Sequence, residues 1–302
     1  ARWDEFQRSP RHATHVPGGV IELMPIADRE YYSFKYVNGH PNNSQYQKQT
    51  VVATGQLSLI ATGYPVLISE MTLLTAIRTA ATSALASLYL ARKSAKTFGI
   101  IGTGAQSEFQ VLAHHFALGI RQIFYFDIDP HAMEKFAANL HPFGLELHPC
   151  KEGQSVVERS EIITTATAQK GHQRIIHTDW VKKGSHINGI GGDTPGKTEL
   201  EPSLLGLSKI VIEQMEQSQV EGEIQQLPHT PIYAELWQLV AGLKKGRESD
   251  AEITLFDSVG FAIEDYSALR LVHLLAEEHH IGHQLDMVPH TQDPKNLFGV
   301  IQ

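Results

Sequence analysis

Three groups of residues in this 302-residue chain have types and spacings that can do chemistry. The first is Gly191-Gly192-Asp193-Thr194-Pro195-Gly196-Lys197-Thr198, which matches the phosphate-loop pattern G-x-x-x-x-G-K-[ST] at every fixed position. A triphosphate cradle aims consecutive backbone N–H groups at anionic oxygens. Pro195 has no N–H to donate, and Asp193 sets a carboxylate against the phosphates. The stretch reads better as glycine framing for Asp193, a carboxylate placed to act as a base, with Lys197 as its neighbour.

The second group is Gly102-Thr103-Gly104-Ala105-Gln106-Ser107, directly after the apolar run FGII (98–101). Gly102 permits a tight turn, Gly104 allows close approach of a pyrophosphate, and the helix expected to follow offers free N–H groups and a positive dipole end. Ser107 holds the third glycine position, so the fingerprint is degraded. The run FYFD then ends in Asp127, where an acid would accept hydrogen bonds from ribose hydroxyls and repel a 2′-phosphate, favouring NAD over NADP.

The third group consists of charges in apolar settings: Glu22 in VIELM, Lys35 in SFKYV and Arg78 in the run 71–91. A buried lysine or arginine needs an anion. Arg11, Arg78 and Lys35 together supply the guanidinium forks and point charge that suit a carboxylate ligand. Two acids, Glu22 and Asp193, suit a ligand with a second amino group.

These groups need a scaffold that holds them. Short β-branched or aromatic runs at 20–24, 31–37, 51–60 and 65–69, punctuated by turns at 38–43 and 61–65, predict a β-rich first part, followed by an Ala-rich helix over 71–92. From Phe98 onward, strands at 98–101, 122–127, 161–167, 186–190, 209–213 and 253–256 alternate with helices at 105–119 and 130–140. That rhythm predicts a parallel sheet covered on both faces, with ligands at its carboxyl edge. A last helix is expected over 259–280.

Composition narrows the classes. The chain is 42% apolar and 19% charged, enough for a sizeable core and an α/β enzyme. A net charge of −8 argues against nucleic acid as the main partner. Arg78 within 71–91 argues for a buried helix over a membrane span. The single cysteine, Cys150, forms no internal disulfide and fits a reducing cytoplasm. The histidines of HHIGH (279–283) suit a solvated helix end better than a metal site, and no metal is expected. His114 and His115 are expected to be packing or surface residues.

Several blocks together resemble the ornithine cyclodeaminase/μ-crystallin family: VIELMPIAD, FKYVNGHP, TGYPVLISEMTLLTAIRTAATS, IIGTGAQSEFQ, INGIGGDTPGKTEL, VEGEIQQLP and FDSVGFAIEDYSALR. They span about residues 11–275, and the GGD and FDSVGFA blocks resemble the bacterial ornithine cyclodeaminase branch. The resemblance implies a Rossmann NAD-binding domain (97–265) and a β-rich substrate-binding, dimer-forming domain (1–92, completed by about 268–302). It also implies a strand and helix before the point where this chain begins. Arg11, Lys35 and Arg78 would bind the substrate α-carboxylate, and Glu22 and Asp193 the distal ammonium, with Met24 lining the pocket. Thr50, Arg78, Ala105, Gln106, Asp127, Thr165, Lys197 and Ser258 would touch NAD. The implied reaction is deaminating cyclisation of L-ornithine to L-proline, with Asp193 as general base. A related reductase or dehydrogenase, or a μ-crystallin-like binding protein, is the competing expectation.

Overall fold

The first seventy residues fold into an antiparallel sheet because their apolar residues alternate along extended segments. The computed structural model describes residues 2–168 and 171–301. The sheet contains β1 (Gln7–Arg8), β2 (His12–Val16), β3 (Gly19–Ala27), β4 (Tyr31–Gly39), β5 (Val51–Leu59) and β6 (Pro65–Glu70). Its order is β1-β3-β4-β5-β6, with β2 also paired to β3. The register sets Met24 opposite Lys35 and Glu22 opposite Val37. With a side-chain period of two, Glu22, Met24 and Lys35 therefore share one face.

Helix α1 (Thr72–Leu90) follows. Its small residues Ala76, Ala80, Ser83, Ala84 and Ser87 recur at helical spacing and are buried, so neighbouring backbones approach closely. The Ser87 hydroxyl meets His114 Nε2 at 2.9 Å, and Asn188 Nδ2 donates to the same Ser87 oxygen at 3.2 Å. Burial drives the His114 pKa down to about 4, so this polar plug is neutral. His114 is thus the packing residue expected of it.

The remaining chain alternates strands and helices in the order β7 (Thr97–Ile101), α2 (Ser107–Leu118), β8 (Gln122–Phe126), α3 (Pro130–Leu140), β9 (Glu146–Pro149), α4 (Gly153–Arg159), β10 (Ile162–Thr165) and β11 (His172–Ile176). It continues with β12 (His186–Gly189), β13 (Thr198–Leu200), α5 (Pro202–Leu207), β14 (Ser208–Ile212), α6 (Met215–Ser218), β15 (Ala234–Glu235), α7 (Leu236–Val240), β16 (Ile253–Asp257) and α8 (Ala262–His279). Eight strands form one sheet, ordered β15-β14-β16-β12-β10-β7-β8-β9, and each neighbouring pair in it is parallel. β11 and β13 pair separately. Phe98 and Ile100 pack on one face with Val111 and Phe136, while Ile101 and Phe124 pack on the other with Val156, so both faces are covered.

The chain runs from β7 outward to β8 and β9, then returns to β10 on the other side of β7. The carboxyl ends of β7 and β10 therefore mark the switch point where such sheets bind ligands.

Several expected elements differ at their ends. The helix expected from 259 begins at Ala262, because Glu213 takes the N–H groups of Val259 and Gly260 and Gly260 adopts φ +78°. The strand expected to reach 167 stops at Thr165, because Thr167 turns its N–H to Glu199. At the other end of α8, His280 takes φ +53° and closes the helix. The short elements β9, β11, β13 and α4 through α7 carry too little periodicity to have been expected.

Candidate functional site

At the end of β7 the chain turns at Gly102, where φ is +96° and a Cβ would lie 2.5 Å from the Ala166 carbonyl oxygen. Only glycine fits this turn against the chain leaving β10. Around Gly104 the space is open, with nothing within 4 Å of a would-be Cβ. Ser107, in the third glycine position, donates its hydroxyl to Gly104 O at 2.7 Å and so tightens the turn that opens α2. Ala105 and Gln106 sit between, and the Gln106 side-chain oxygen is buried with no partner among the described residues.

Asp127, at the end of β8, accepts the Thr103 N–H at 2.6 Å and the Thr103 hydroxyl at 3.2 Å through Oδ2, and the Asp129 N–H at 3.0 Å through Oδ1. The acid expected at the ribose thus also pins the glycine turn. Open glycine backbone, a helix N-terminus, an orphaned buried acceptor and an acid at the next strand end together fit a dinucleotide.

The GGDTPGKT stretch connects β12 to β13 and leads into a strand, whereas a phosphate loop opens a helix. Asp193 is half-exposed and lies 3.1 Å from Lys197 Nζ. Beneath it, Gly191 faces the Glu199 carboxylate so closely that any side chain would collide, and a Cβ on Gly192 would lie 3.0 Å from Glu223 Oε1. The fully buried Asp257 accepts the N–H groups of Glu223 and Ile224 at 2.8 and 3.0 Å. Glu223 accepts those of Glu199 and Leu200 at 2.7 and 3.0 Å, and Glu199 accepts that of Thr167 at 2.9 Å. Each acid holds the loop that carries the next, and the last holds the chain just after Thr165. Burial pushes the Asp257 carboxyl up to about 7, and burial also raises Glu223 and Glu199. None of these three acids was singled out from sequence; the signal was Glu199 close after the glycines of GGDTPGKT, Glu223 after Gly222 in VEGE, and Asp257 at the end of the run ITLF.

The charged residues of the antiparallel sheet meet the start of α8. Buried Lys35 reaches Asp265 with Nζ 3.0 Å from Oδ1 and 2.9 Å from Oδ2. Arg78 on α1 places Nε 3.0 Å from Asp265 Oδ1 and Nη1 2.6 Å from Glu264 Oε2. Burial lowers the Lys35 pKa to about 8 despite Asp265 beside it. Burial opposes ionisation of Asp265 too, but Arg78 and Lys35 outweigh it and hold this carboxyl below its usual range. Glu264 moves the other way, pushed well up by burial and by the Glu213 charge.

Arg11 is nine-tenths buried by its side chain. Its Nη2 donates to the carbonyls of Val259 and Gly260 at 3.0 and 2.8 Å, and its Nη1 lies 3.1 Å from Glu221 and 3.5 Å from Glu22. The 258–260 loop that supplies those carbonyls is shaped by Glu213, which also accepts the Ser258 hydroxyl at 2.7 Å.

The three cations read from sequence as open anchors are thus each already paired inside the protein, with acids that the reading had not named: Glu221, Glu264 and Asp265. The rule that a cation on an apolar element requires an anion pointed to such partners without identifying them. Met24 is buried with Ile26, Leu57 and Phe261 beneath this cluster. Thr50 stands exposed at the start of β5, and among the described residues no bond joins it to the rest of the set.

Residues 1–280 match the model of the "Ornithine cyclodeaminase/mu-crystallin family". The chain is 50% identical over 301 residues to an ornithine cyclodeaminase of Agrobacterium fabrum, covering 99% of this chain and 85% of that one. Its structure is similar to that of a lysine cyclodeaminase solved for recognition of L-lysine, L-ornithine and L-2,4-diaminobutyric acid (TM-score 0.90, 30% identity, 97% of this chain and 87% of that one). It is also similar to an archaeal alanine dehydrogenase dimer with bound NAD (TM-score 0.89, 32% identity, 95% and 90%).

Proposed function

Since the chain belongs to the ornithine cyclodeaminase/mu-crystallin family, we propose that it converts L-ornithine to L-proline and ammonia with NAD as a recycled cofactor. The observation that carries this reading is a site with two poles. Lys35 and Arg78 meet on Asp265 at one pole, while at the other Glu22 and Glu221 flank Arg11 and the Gly222 N–H is bonded to Gly192 O, the residue before Asp193. A substrate with a carboxylate at one end and an ammonium at the other complements that pattern.

In this reading the α-carboxylate joins Lys35, Arg78 and Arg11, whose three and five N–H donors leave hydrogens beyond those given to the internal acids. Glu22 and Asp193 receive the distal ammonium, and Met24 supports the aliphatic chain. Gly102, Gly104, Ala105 and Gln106 carry the pyrophosphate, Asp127 the ribose, and Thr50, Arg78, Thr165, Lys197 and Ser258 complete the NAD site. NAD held there would supply a hydride acceptor for the substrate α-carbon and a hydride donor for the cyclic imine, so no net NADH would form. Asp193 takes a proton from the distal ammonium. The freed amine attacks the α-imine carbon, a ring closure favoured by the high effective molarity of an intramolecular nucleophile. Ammonia then leaves.

The antiparallel sheet with the part of α8 beyond its first turn serves as the substrate-binding and dimerisation domain (1–92 and about 268–302), and residues 97–265 serve as the NAD domain. Exposed Leu73 and Ile77 on α1 and Leu271 and Leu274 on α8 supply apolar area for a homodimer. Unpaired Cys150 suits a cytoplasmic location.

The test is incubation with L-ornithine and catalytic NAD. Ammonia and L-proline in equal amounts, without NADH accumulation, are expected. The similarity to the alanine dehydrogenase favours a second reading, an oxidoreductase of an amino acid or cyclic imine. Net NADH formation from an amino acid would decide for that one.

A further inference from the structure

We infer that Glu221 is a third substrate-facing carboxylate that sets the preference for an amino acid with a second ammonium; this rests on the reading of the site as an ornithine site. Glu221 follows α6 and immediately precedes Gly222, whose N–H is bonded to Gly192 O at 2.7 Å. The backbone of Glu221 is therefore stitched to the residue before Asp193. Its side chain is only 7% exposed, and it reaches the Arg11 Nη1 atom that also faces Glu22.

A partner for Arg11 alone does not explain this placement. One acid would balance one guanidinium, and Glu22 already stands beside it. With Glu221 present, three carboxylates (Glu22, Glu221 and Asp193) face two cations (Arg11 and Lys197). The excess is one negative charge. Both bonds made by Glu221, from Arg11 and from Gln217 Nε2 at 2.7 Å, fall on Oε2; among the described residues none donates to Oε1. Arg11 Nε is buried with no hydrogen-bond partner among the described residues.

Burial first, and then the charges of Glu22 and Asp193, raise the Glu221 carboxyl, while Arg11 works against them. An incoming ammonium would relieve the crowding of like charges. An aliphatic side chain of the same length would not, and would leave the acids desolvated beside it.

The experiment compares L-ornithine with L-norvaline, which has the same carbon skeleton but no δ-amino group. Binding to the NADH-loaded protein, which has no hydride acceptor and so does not turn ornithine over, is measured by calorimetry for wild type, Glu221→Gln and Glu221→Asp, alongside steady-state kinetics with ornithine and NAD. Glu221→Gln keeps an acceptor for Arg11 but removes the charge. It is expected to weaken ornithine binding and raise its KM about tenfold, as loss of one charge-assisted hydrogen bond does, while norvaline binding changes less than about twofold. Glu221→Asp is expected to restore part of the preference.

Equal changes for both ligands would overturn the proposal and mark Glu221 as a holder of Arg11 only. No change with ornithine would overturn it too, as would a wild type that binds norvaline as well as ornithine. A wild type that prefers ornithine yet forms no proline would defeat only the proposed reaction. The binding comparison would still decide the role of Glu221.

Discussion

Lys35 and Asp265 form a buried ion pair across 230 residues of sequence, with Nζ 3.0 and 2.9 Å from the two carboxylate oxygens. The pair ties strand β4 to the first turn of α8, and Arg78 on α1 shares the same carboxylate. Removing one member of such a group leaves the others charged and buried. Asp265→Asn should therefore destabilise the protein by about 3–5 kcal/mol, because two cations lose their main counter-charge. Chemical denaturation of the variant against wild type measures this.

The same pair gives a pH dependence. The Lys35 pKa is lowered to about 8, below its unfolded value of 10.5. Between those values the unfolded chain binds the extra proton, so this group's contribution to stability rises with pH across that window. Binding goes the opposite way, since a neutral Lys35 no longer attracts a carboxylate. The value of kcat/KM for the amino-acid substrate is expected to fall above about pH 8, approaching tenfold per pH unit. Lys35→Arg, which stays charged, should flatten that limb in a pH–rate profile.

Asp193 carries the proposed proton transfer, and its half-exposed position beside Lys197 leaves it reachable from the sheet edge. Asp193→Asn preserves size and polarity but removes the base. A fall in kcat of about 10²–10⁴-fold is expected, with the protein folded and its affinity for NAD kept. Stopped assays for proline, with NAD binding followed by fluorescence, test both parts.

The parts of the fold legible in sequence were those with a strong period or a local chemical demand. β7 and β8 are near-continuous apolar runs of the parallel sheet, and the positive φ of Gly102 agrees with the turn its spacing predicted. The partners of the buried charges were less legible. Lys35 and Asp265 are brought together only by tertiary packing, and nothing near Lys35 in sequence names its anion. For the same reason Glu213 and Glu223 escaped notice, since their carboxylates act on backbone N–H groups far along the chain. GGDTPGKT misleads as a pattern because glycine serves two ends: here Gly191 and Gly192 make room for Glu199 and Glu223.

That close approach makes Gly191 a sensitive position. An alanine there would collide with the Glu199 carboxylate, which is fixed by Thr167 and cannot retreat without breaking that bond. Gly191→Ala is expected to cost about 1–3 kcal/mol of stability through overpacking. Displacing the Asp193 loop by about an ångström should also lower kcat about 10²-fold. Thermal melting and ornithine turnover together check this; unchanged kcat would mean that the loop tolerates the shift.

Asp127 has two duties that one substitution can separate by ligand. Its Oδ2 holds Thr103 of the glycine turn, and its charge faces the position expected for the ribose hydroxyls. Asp127→Ser loses the charge and shortens the reach to Thr103. The affinity for NAD should fall about tenfold, since hydrogen bonds to a charged acceptor are lost. Affinity for NADP should change less or improve, because repulsion of the 2′-phosphate by the carboxylate is also lost. Titration of the variant with each dinucleotide, followed by protein fluorescence, measures the ratio. Equal losses for the two would assign Asp127 to the glycine turn alone.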